Sequence, residues 1–192
     1  SNLAGYRAVV DSFFEFERAV PMMMTAAGTV PAAKVLVIGA GVAGTQAIVK
    51  AIDNRALVKV VDSSQAKLDD LMSTYGSNNI EYILSSEESI QSSINESDLV
   101  IGSVYVVGKE APKVISKEML SSMSPGTVMV DVSIDQGGCF ETSKPTTHDN
   151  PTFLENDIVH YCVTNMPGAV PLTATEALNK VTLSYIDKLA NN

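Results

Sequence analysis

Two rhythms of apolar residues alternate along this chain. From Lys34 to Asp62 the sequence reads KVLVIGAGVAGTQAIVKAIDNRALVKVVD: four β-formers in a row (Val35 to Ile38), then apolar residues at helical spacing, then a second apolar run that ends on Asp62. Short runs of the same kind recur at Ile80 to Leu84, Leu99 to Ser103, Thr127 to Val132 and Ile158 to Val163. The spacing predicts helices between them. One runs from Ser64 to Tyr75, with Ala66, Leu68, Leu71 and Met72 on one face and Gly76 as its stop; another runs from Ser86 to Asn95, opened by the capping pattern Ser86-Glu87-Glu88-Ser89. A third is expected from Ser116 to Met123. Strands that alternate with helices predict an α/β fold built on a doubly wound parallel sheet.

Two further amphipathic stretches lie outside that alternation. Residues 2–20 place Tyr6, Val9, Val10, Phe13, Phe14 and Phe16 among charges, and a final helix from about Ala174 to Ala190 carries Leu178, Val181, Leu183, Tyr185, Ile186 and Leu189. The chain therefore divides into a connector helix and loop at 1–30, a nucleotide-binding core at 31–170 and a C-terminal connector helix at 171–192. The join contains Met22, Met23 and Met24, an adaptable packing patch with no assigned chemistry.

The turn between the first strand and helix is Gly39-Ala40-Gly41-Val42-Ala43-Gly44, a dinucleotide-binding fingerprint in a Rossmann-type setting. Gly39 permits the tight turn, Gly41 lets backbone approach a pyrophosphate, and Gly44 lets helix and strand pack closely. First-turn amides at the positive end of the helix dipole would hold the pyrophosphate. Asp62 lies about 20 residues beyond the glycines, where a carboxylate accepts from ribose hydroxyls and repels a 2′-phosphate. NAD is thus expected in preference to NADP.

Composition narrows the alternatives. At 192 residues and 45% hydrophobic content the chain buries a substantial core, and it holds no apolar run of the roughly 20 residues needed for a membrane span. A net charge of −9 without a basic stripe argues against nucleic-acid binding. Cys139 and Cys162 are spaced for neither zinc nor a redox pair, and His148 and His160 are too scattered for a metal site, so reduced thiols, no metal and a cytoplasmic location are expected. Cys162 lies in an apolar run and reads as inert core.

The second informative stretch is Asp131-Val132-Ser133-Ile134-Asp135-Gln136-Gly137-Gly138-Cys139. Two carboxylates leave a strand end into a Gly-Gly loop, which suits either an ordinary polar turn or groups aimed at a ligand. Ligands of doubly wound sheets sit outside the carboxyl ends of strands, so the mouth from Ser103 to Gly108 should face the same ligand.

The strings DVSIDQGGCFETSKPTTHDNPTF and VHYCVTNMPGAVPLTATEAL resemble the NAD-binding half of alanine dehydrogenase from Thr25 to Asn191. SNLAGYRAV and TAAGTVPAAKVLVIGAGVAG look at least as much like the nucleotide-binding (alpha) subunit of proton-translocating NAD(P) transhydrogenase, a family with the same fold. DQGGC and NMPGAVP favour alanine dehydrogenase. That resemblance implies the reversible reaction of L-alanine, NAD and water to pyruvate, ammonium and NADH, in a commonly oligomeric enzyme. It implies Asp135 as an acid/base or orienting carboxylate beside the nicotinamide. Gly39, Ala40, Gly41, Val42 and Gly44 would hold the pyrophosphate, and Asp62 and Lys67 the adenosine side. Ser85, Val104 and Tyr105 would flank adenine and ribose. Val132, Ser133, Ile134 and Asp135, then Val163, Asn165 and Met166, would line the nicotinamide end. Lys144 stands where the family commonly has arginine, keeping the charge without the fork. Ser1 stands where a serine lies near the pyrophosphate, and residues left by cloning account for it equally well. The arginine, lysine and histidine that handle substrate in the family belong to a preceding domain, so the chain reads as a cofactor domain of a two-domain enzyme. A sensing module without catalysis is the remaining reading.

Overall fold

The computed structural model describes residues 3–5, 7, 9–11 and 23–191. Its seven strands are β1 (Lys34–Ile38), β2 (Leu57–Asp62), β3 (Ile80–Leu84), β4 (Leu99–Gly102), β5 (Val128–Asp131), β6 (Thr152–Glu155) and β7 (Ile158–Tyr161). They form one sheet in the order β3-β2-β1-β4-β5-β7-β6. All neighbours are parallel except β6 and β7, which pair antiparallel with Phe153 opposite His160. The helices are α1 (Val42–Asp53), α2 (Gln65–Tyr75), α3 (Glu87–Asn95) and α4 (Pro171–Ala190).

Period-two alternation within each strand feeds two separate cores. Val35, Val37, Val58, Val60, Ile101 and Val130 face one side of the sheet, where Ala47, Ile48 and Ala51 of α1 and Leu68 and Leu71 of α2 cover them. Leu36, Ile38, Val61, Val100 and Met129 face the other, under Ile90 and Ile94 of α3 together with Ile115, Leu120 and Phe140. Strands are added outward in one direction from β1 to β3 and in the other from β4 onward, so the loops at the carboxyl ends of β1 and β4 diverge and open a cleft.

Several sequence expectations change in detail. The segment expected as a helix at 116–123 is a 3-10 turn, Glu118–Ser122. The hydroxyls of Ser121 and Ser122 donate to the carbonyls of Glu118 and Met119, a local pairing that competes with a longer helix. The antiparallel edge strand β6 was not expected. A two-residue turn, Asn156-Asp157, joins it to β7 with φ of 51° and 60°, the backbone a tight hairpin requires. The last helix begins at Pro171, three residues before the expected start, because proline is pre-set for a first helical turn.

Residues 3–5, 7 and 9–11 are helical, in keeping with the helix expected at 2–20; of its expected apolar positions Tyr6, Phe13, Phe14 and Phe16 lie outside the described residues, as do Ser1 and Met22. Val9 is fully buried in the first core, and the Tyr161 hydroxyl donates to Asp11 Oδ2 at 2.9 Å. The start of the chain is thereby fastened beside β7. By contrast α4 buries no residue.

Candidate functional site: a cleft at the carboxyl ends of the strands

The cleft holds about 860 Å³ and is walled by the loops that follow β1, β2, β4, β5 and β7. Its floor is the glycine turn. Gly39 takes φ +97°, and a Cβ built there would stand 2.7 Å from the Ser103 carbonyl oxygen. A Cβ on Gly44 would lie 1.8 Å from the Gly39 carbonyl oxygen. The fold therefore demands both glycines. Gly41 differs: a Cβ there meets no protein atom within 4 Å, so packing gives no reason for a glycine at this cleft-lining position. Gly41 is also the N-cap of α1, with no side-chain cap and no acidic residue in the first turn. The orphan amides of that turn consequently lie at the cleft, and among the described residues no side chain caps them.

Asp62 closes β2 and lines the cleft, yet it is only 6% exposed. Its Oδ2 accepts the Ala40 N–H at 2.7 Å and its Oδ1 the Ser64 N–H at 2.9 Å, while Lys67 Nζ lies 3.5 Å from Oδ2. The carboxylate thus pins the glycine turn to the end of β2, a role its sequence position did not disclose. Each oxygen retains a second lone pair toward the cleft.

Asp131 and Asp135 separate sharply. Asp131 does not aim at a ligand: it is fully buried and receives the N–H of Ser133, Cys139 and Phe140 and the Ser143 hydroxyl, the last at 2.5 Å. Asp135 is exposed in the 3-10 turn Ile134–Gln136 and faces the cleft. The Asn165 N–H donates to its Oδ2 at 3.4 Å, which brings the loops after β5 and β7 together. Asn165 itself is left-handed at φ 51°, with His148 Nε2 3.3 Å from its carbonyl. Two further ties hold the rim. Ser103 donates to the Gly39 carbonyl at 2.6 Å, and Ser133 to that of Val104 at 2.7 Å. Lys113 Nζ spans the carbonyls of Gly137 and Gly138 at 2.5 and 2.7 Å and fastens the loop that carries Asp135.

Of the residues expected at the cofactor, Gly39, Gly41, Val42, Asp62, Lys67, Val104, Tyr105, Val132, Ser133, Asp135 and Asn165 line this one cleft. Others do not. Ile134, Val163 and Met166 turn into the cores as apolar side chains, and Gly44 packs on Gly39 and Ser103. Ala40 is buried and its N–H belongs to Asp62. Ser85 gives its N–H to the Asp62 carbonyl at 2.9 Å, beyond the cleft wall. Lys144 lies elsewhere: its ammonium sits 3.2 Å from Glu155 and 5.3 Å over the Phe153 ring. Ala4, Ala43, Ser63, Pro112, Gln136 and Pro167 line the cleft without having been singled out. Ala43, Ser63 and Gln136 adjoin recognised positions, whereas nothing local in the sequence marks Ala4.

The thiols are unreactive. Burial pushes the Cys139 thiol well above its ordinary range and Cys162 up to about 12, with the nearby Asp131 carboxylate adding to both. Both stay protonated near neutral pH and neither serves as a nucleophile. Among the described residues no group of acidic, cysteine or histidine side chains is placed to hold a metal ion, and no helix is long and apolar enough to cross a membrane.

The chain is similar to known proteins along its whole length. A family model described as "Alanine dehydrogenase/PNT, C-terminal domain" matches residues 8–192. An alanine dehydrogenase of Halomonas elongata is 44% identical over 194 residues, covering all of this chain and 52% of that protein. A solved L-alanine dehydrogenase superposes with a TM-score of 0.93 at 40% identity, over the whole chain and 54% of the other. A transhydrogenase from Sinorhizobium meliloti superposes with a TM-score of 0.83 at 35% identity over 98% of this chain and 54% of its own. The chain thus spans about half the length of the relatives it matches. It belongs to the alanine dehydrogenase/PNT C-terminal domain family, within which alanine dehydrogenases are oxidoreductases.

Proposed function

We propose that this chain is the NAD-binding half of an L-alanine dehydrogenase. The observation that carries the reading is Gly41: a glycine the packing does not require, at the uncapped start of α1, on the floor of the cleft. Backbone free of a Cβ beside orphan amides is what a pyrophosphate needs. The cofactor would supply the hydride acceptor.

This chain's own groups do the rest. The α1 amides bind the pyrophosphate, and the free lone pairs of Asp62 accept from the adenosine ribose. The Asp135 carboxylate, loosely held by the Asn165 N–H, takes or returns a proton at the edge of the nicotinamide half. In the forward direction L-alanine loses a hydride from Cα and becomes an imine. Water adds to the imine carbon, and ammonium leaves as pyruvate forms. Groups that hold the substrate carboxylate come from outside 31–170, toward which residues 1–30 and 171–192 act as connectors. The functional assembly is a cytoplasmic homo-oligomer of the longer protein, and this chain alone does not turn over.

Calorimetric titration of the chain tests the first half of the reading. NAD should bind more tightly than NADP, and equal affinities would remove Asp62 as the ribose reader. Assay of the longer protein with alanine and NAD tests the second half; activity confined to another amino acid would overturn the substrate. The likeness to a transhydrogenase supports one other reading, a hydride relay between two nucleotides. NADPH-dependent reduction of an NAD analogue without alanine would favour it.

A further inference from the structure

Gln136 immediately follows Asp135 and lines both the main cleft and a side pocket of about 420 Å³ beneath Tyr105 and Val106. Its backbone is fixed at both ends: its N–H donates to the Ser133 carbonyl at 2.9 Å, and its carbonyl accepts the Ala111 N–H at 2.9 Å. Its side chain is not. The Oε1 atom is shielded from solvent and has no hydrogen-bond partner among the described residues. A buried amide oxygen left unmatched is unfavourable, so the side chain gains by turning its amide to any donor that enters the cleft.

The geometry points to Gln136 as the residue that recognises the carboxamide of the nicotinamide, a specificity determinant that rests on the NAD-binding reading above. Asp135, next in the chain, follows β5, three strands across the sheet from Asp62 at the end of β2, and so stands toward the end of the cleft assigned to the nicotinamide. A primary amide matches a primary carboxamide reciprocally, one N–H donated and one accepted. A half-turn of one amide alone would set oxygen against oxygen and N–H against N–H, so the pairing fixes the orientation of both. A group that lacked N–H would leave Oε1 unmatched.

Calorimetry on the 192-residue chain tests this with NAD, ADP-ribose and 3-acetylpyridine adenine dinucleotide, a neutral analogue whose ketone keeps the oxygen and lacks the amide hydrogens. The unaltered chain should bind NAD about tenfold more tightly than the acetylpyridine analogue. In Gln136→Leu that preference should vanish while ADP-ribose binds unchanged, which also shows that the variant is folded. Equal affinity of the unaltered chain for NAD and the analogue overturns the inference without any variant, as does a Gln136→Leu that keeps the preference or loses ADP-ribose to the same degree as NAD. Failure of the unaltered chain to bind NAD and ADP-ribose at all overturns the NAD-binding reading and this inference together. Binding of both with no carboxamide preference overturns this inference alone.

Discussion

The buried carboxylate of Asp131 accepts the backbone N–H of Cys139 at 2.8 Å, closing the loop that displays Asp135. Two aspartates four residues apart thereby differ, one buried and holding the loop's shape, the other exposed to the cleft. Asp131→Ala should strand three backbone donors and the Ser143 hydroxyl in a dry interior and destabilise the chain by about 3 kcal/mol or more. Asp135→Ala, at an exposed site, should shift stability by no more than about 0.5 kcal/mol. Urea unfolding of the two variants reads the contrast, and equal midpoints would refute it.

The fingerprint glycines should separate in the same way. Gly39→Ala puts an alanine at positive φ with its Cβ 2.7 Å from a carbonyl oxygen and should cost about 2 kcal/mol or more of stability. Gly41→Ala should leave the melting temperature within a degree or two, about what a few tenths of a kcal/mol produce, yet weaken NAD at least about tenfold. A thermal scan followed by a titration distinguishes them; a Gly41→Ala that binds NAD normally would remove the pyrophosphate from that turn.

Lys113 makes a third prediction. Replacing it by Met removes the ammonium that bridges the Gly137 and Gly138 carbonyls. Amide hydrogen exchange at Gly137 and Gly138, whose N–H groups bond to Ile134 and Ser133, should accelerate about tenfold, the equivalent of about 1.4 kcal/mol, while exchange in β1 stays unchanged. Unaltered exchange in the loop would show the bridge to be dispensable.

His160 gives a pH dependence. It is fully buried, its Nδ1 donating to the Ile158 carbonyl at 3.1 Å and its Nε2 accepting the Thr142 hydroxyl at 2.8 Å, so it sits in the neutral form. Burial holds its pKa below the ordinary 6.5 against opposing pulls from the Ile158 carbonyl and Glu155. The unfolded chain therefore binds the proton more readily, and stability rises with pH across the window from the depressed value up to about 6.5. Calorimetric melting should fall as pH is lowered through that window and level off below it. His160→Gln should flatten that step; an unchanged slope would assign it to other groups.

The exposed apolar stripe of α4, formed by Leu178, Val181, Tyr185, Ile186 and Leu189, should drive self-association. Sedimentation at increasing concentration should show it, and Leu178→Gln with Ile186→Gln should return the chain toward a monomer. A concentration-independent monomer would mean that the stripe is inert.

Much of this was readable from the chain because periodicity and the fingerprint are local signals. β1 to β5 and α1 to α3 follow from apolar rhythm and glycine chemistry, whereas Asp135 and Asn165 were expected at the cleft through the family resemblance. The losses share one cause. Asp62 and Asp131 have their partners in loops that only the folded sheet brings near, Ala40 and Ser64 for one and Cys139 and Ser143 for the other, so their structural duty is invisible in any short window. Likewise Lys144 was placed by resemblance at the cofactor, whereas its nearest partner in the fold is Glu155 on the edge hairpin. The β6 strand is a half-exposed edge strand with no buried apolar run to mark it.

The tie between Asp11 and Tyr161 joins positions 150 residues apart, and Ala4, on the same helical stretch, forms part of the cleft wall. Synthesis makes that wall well before its anchor. The glycine turn and the first four strands can pair while the chain is still growing, but the cleft stays open on one side until β7 has emerged. Completion of the cleft therefore waits until the chain has been made as far as Tyr161.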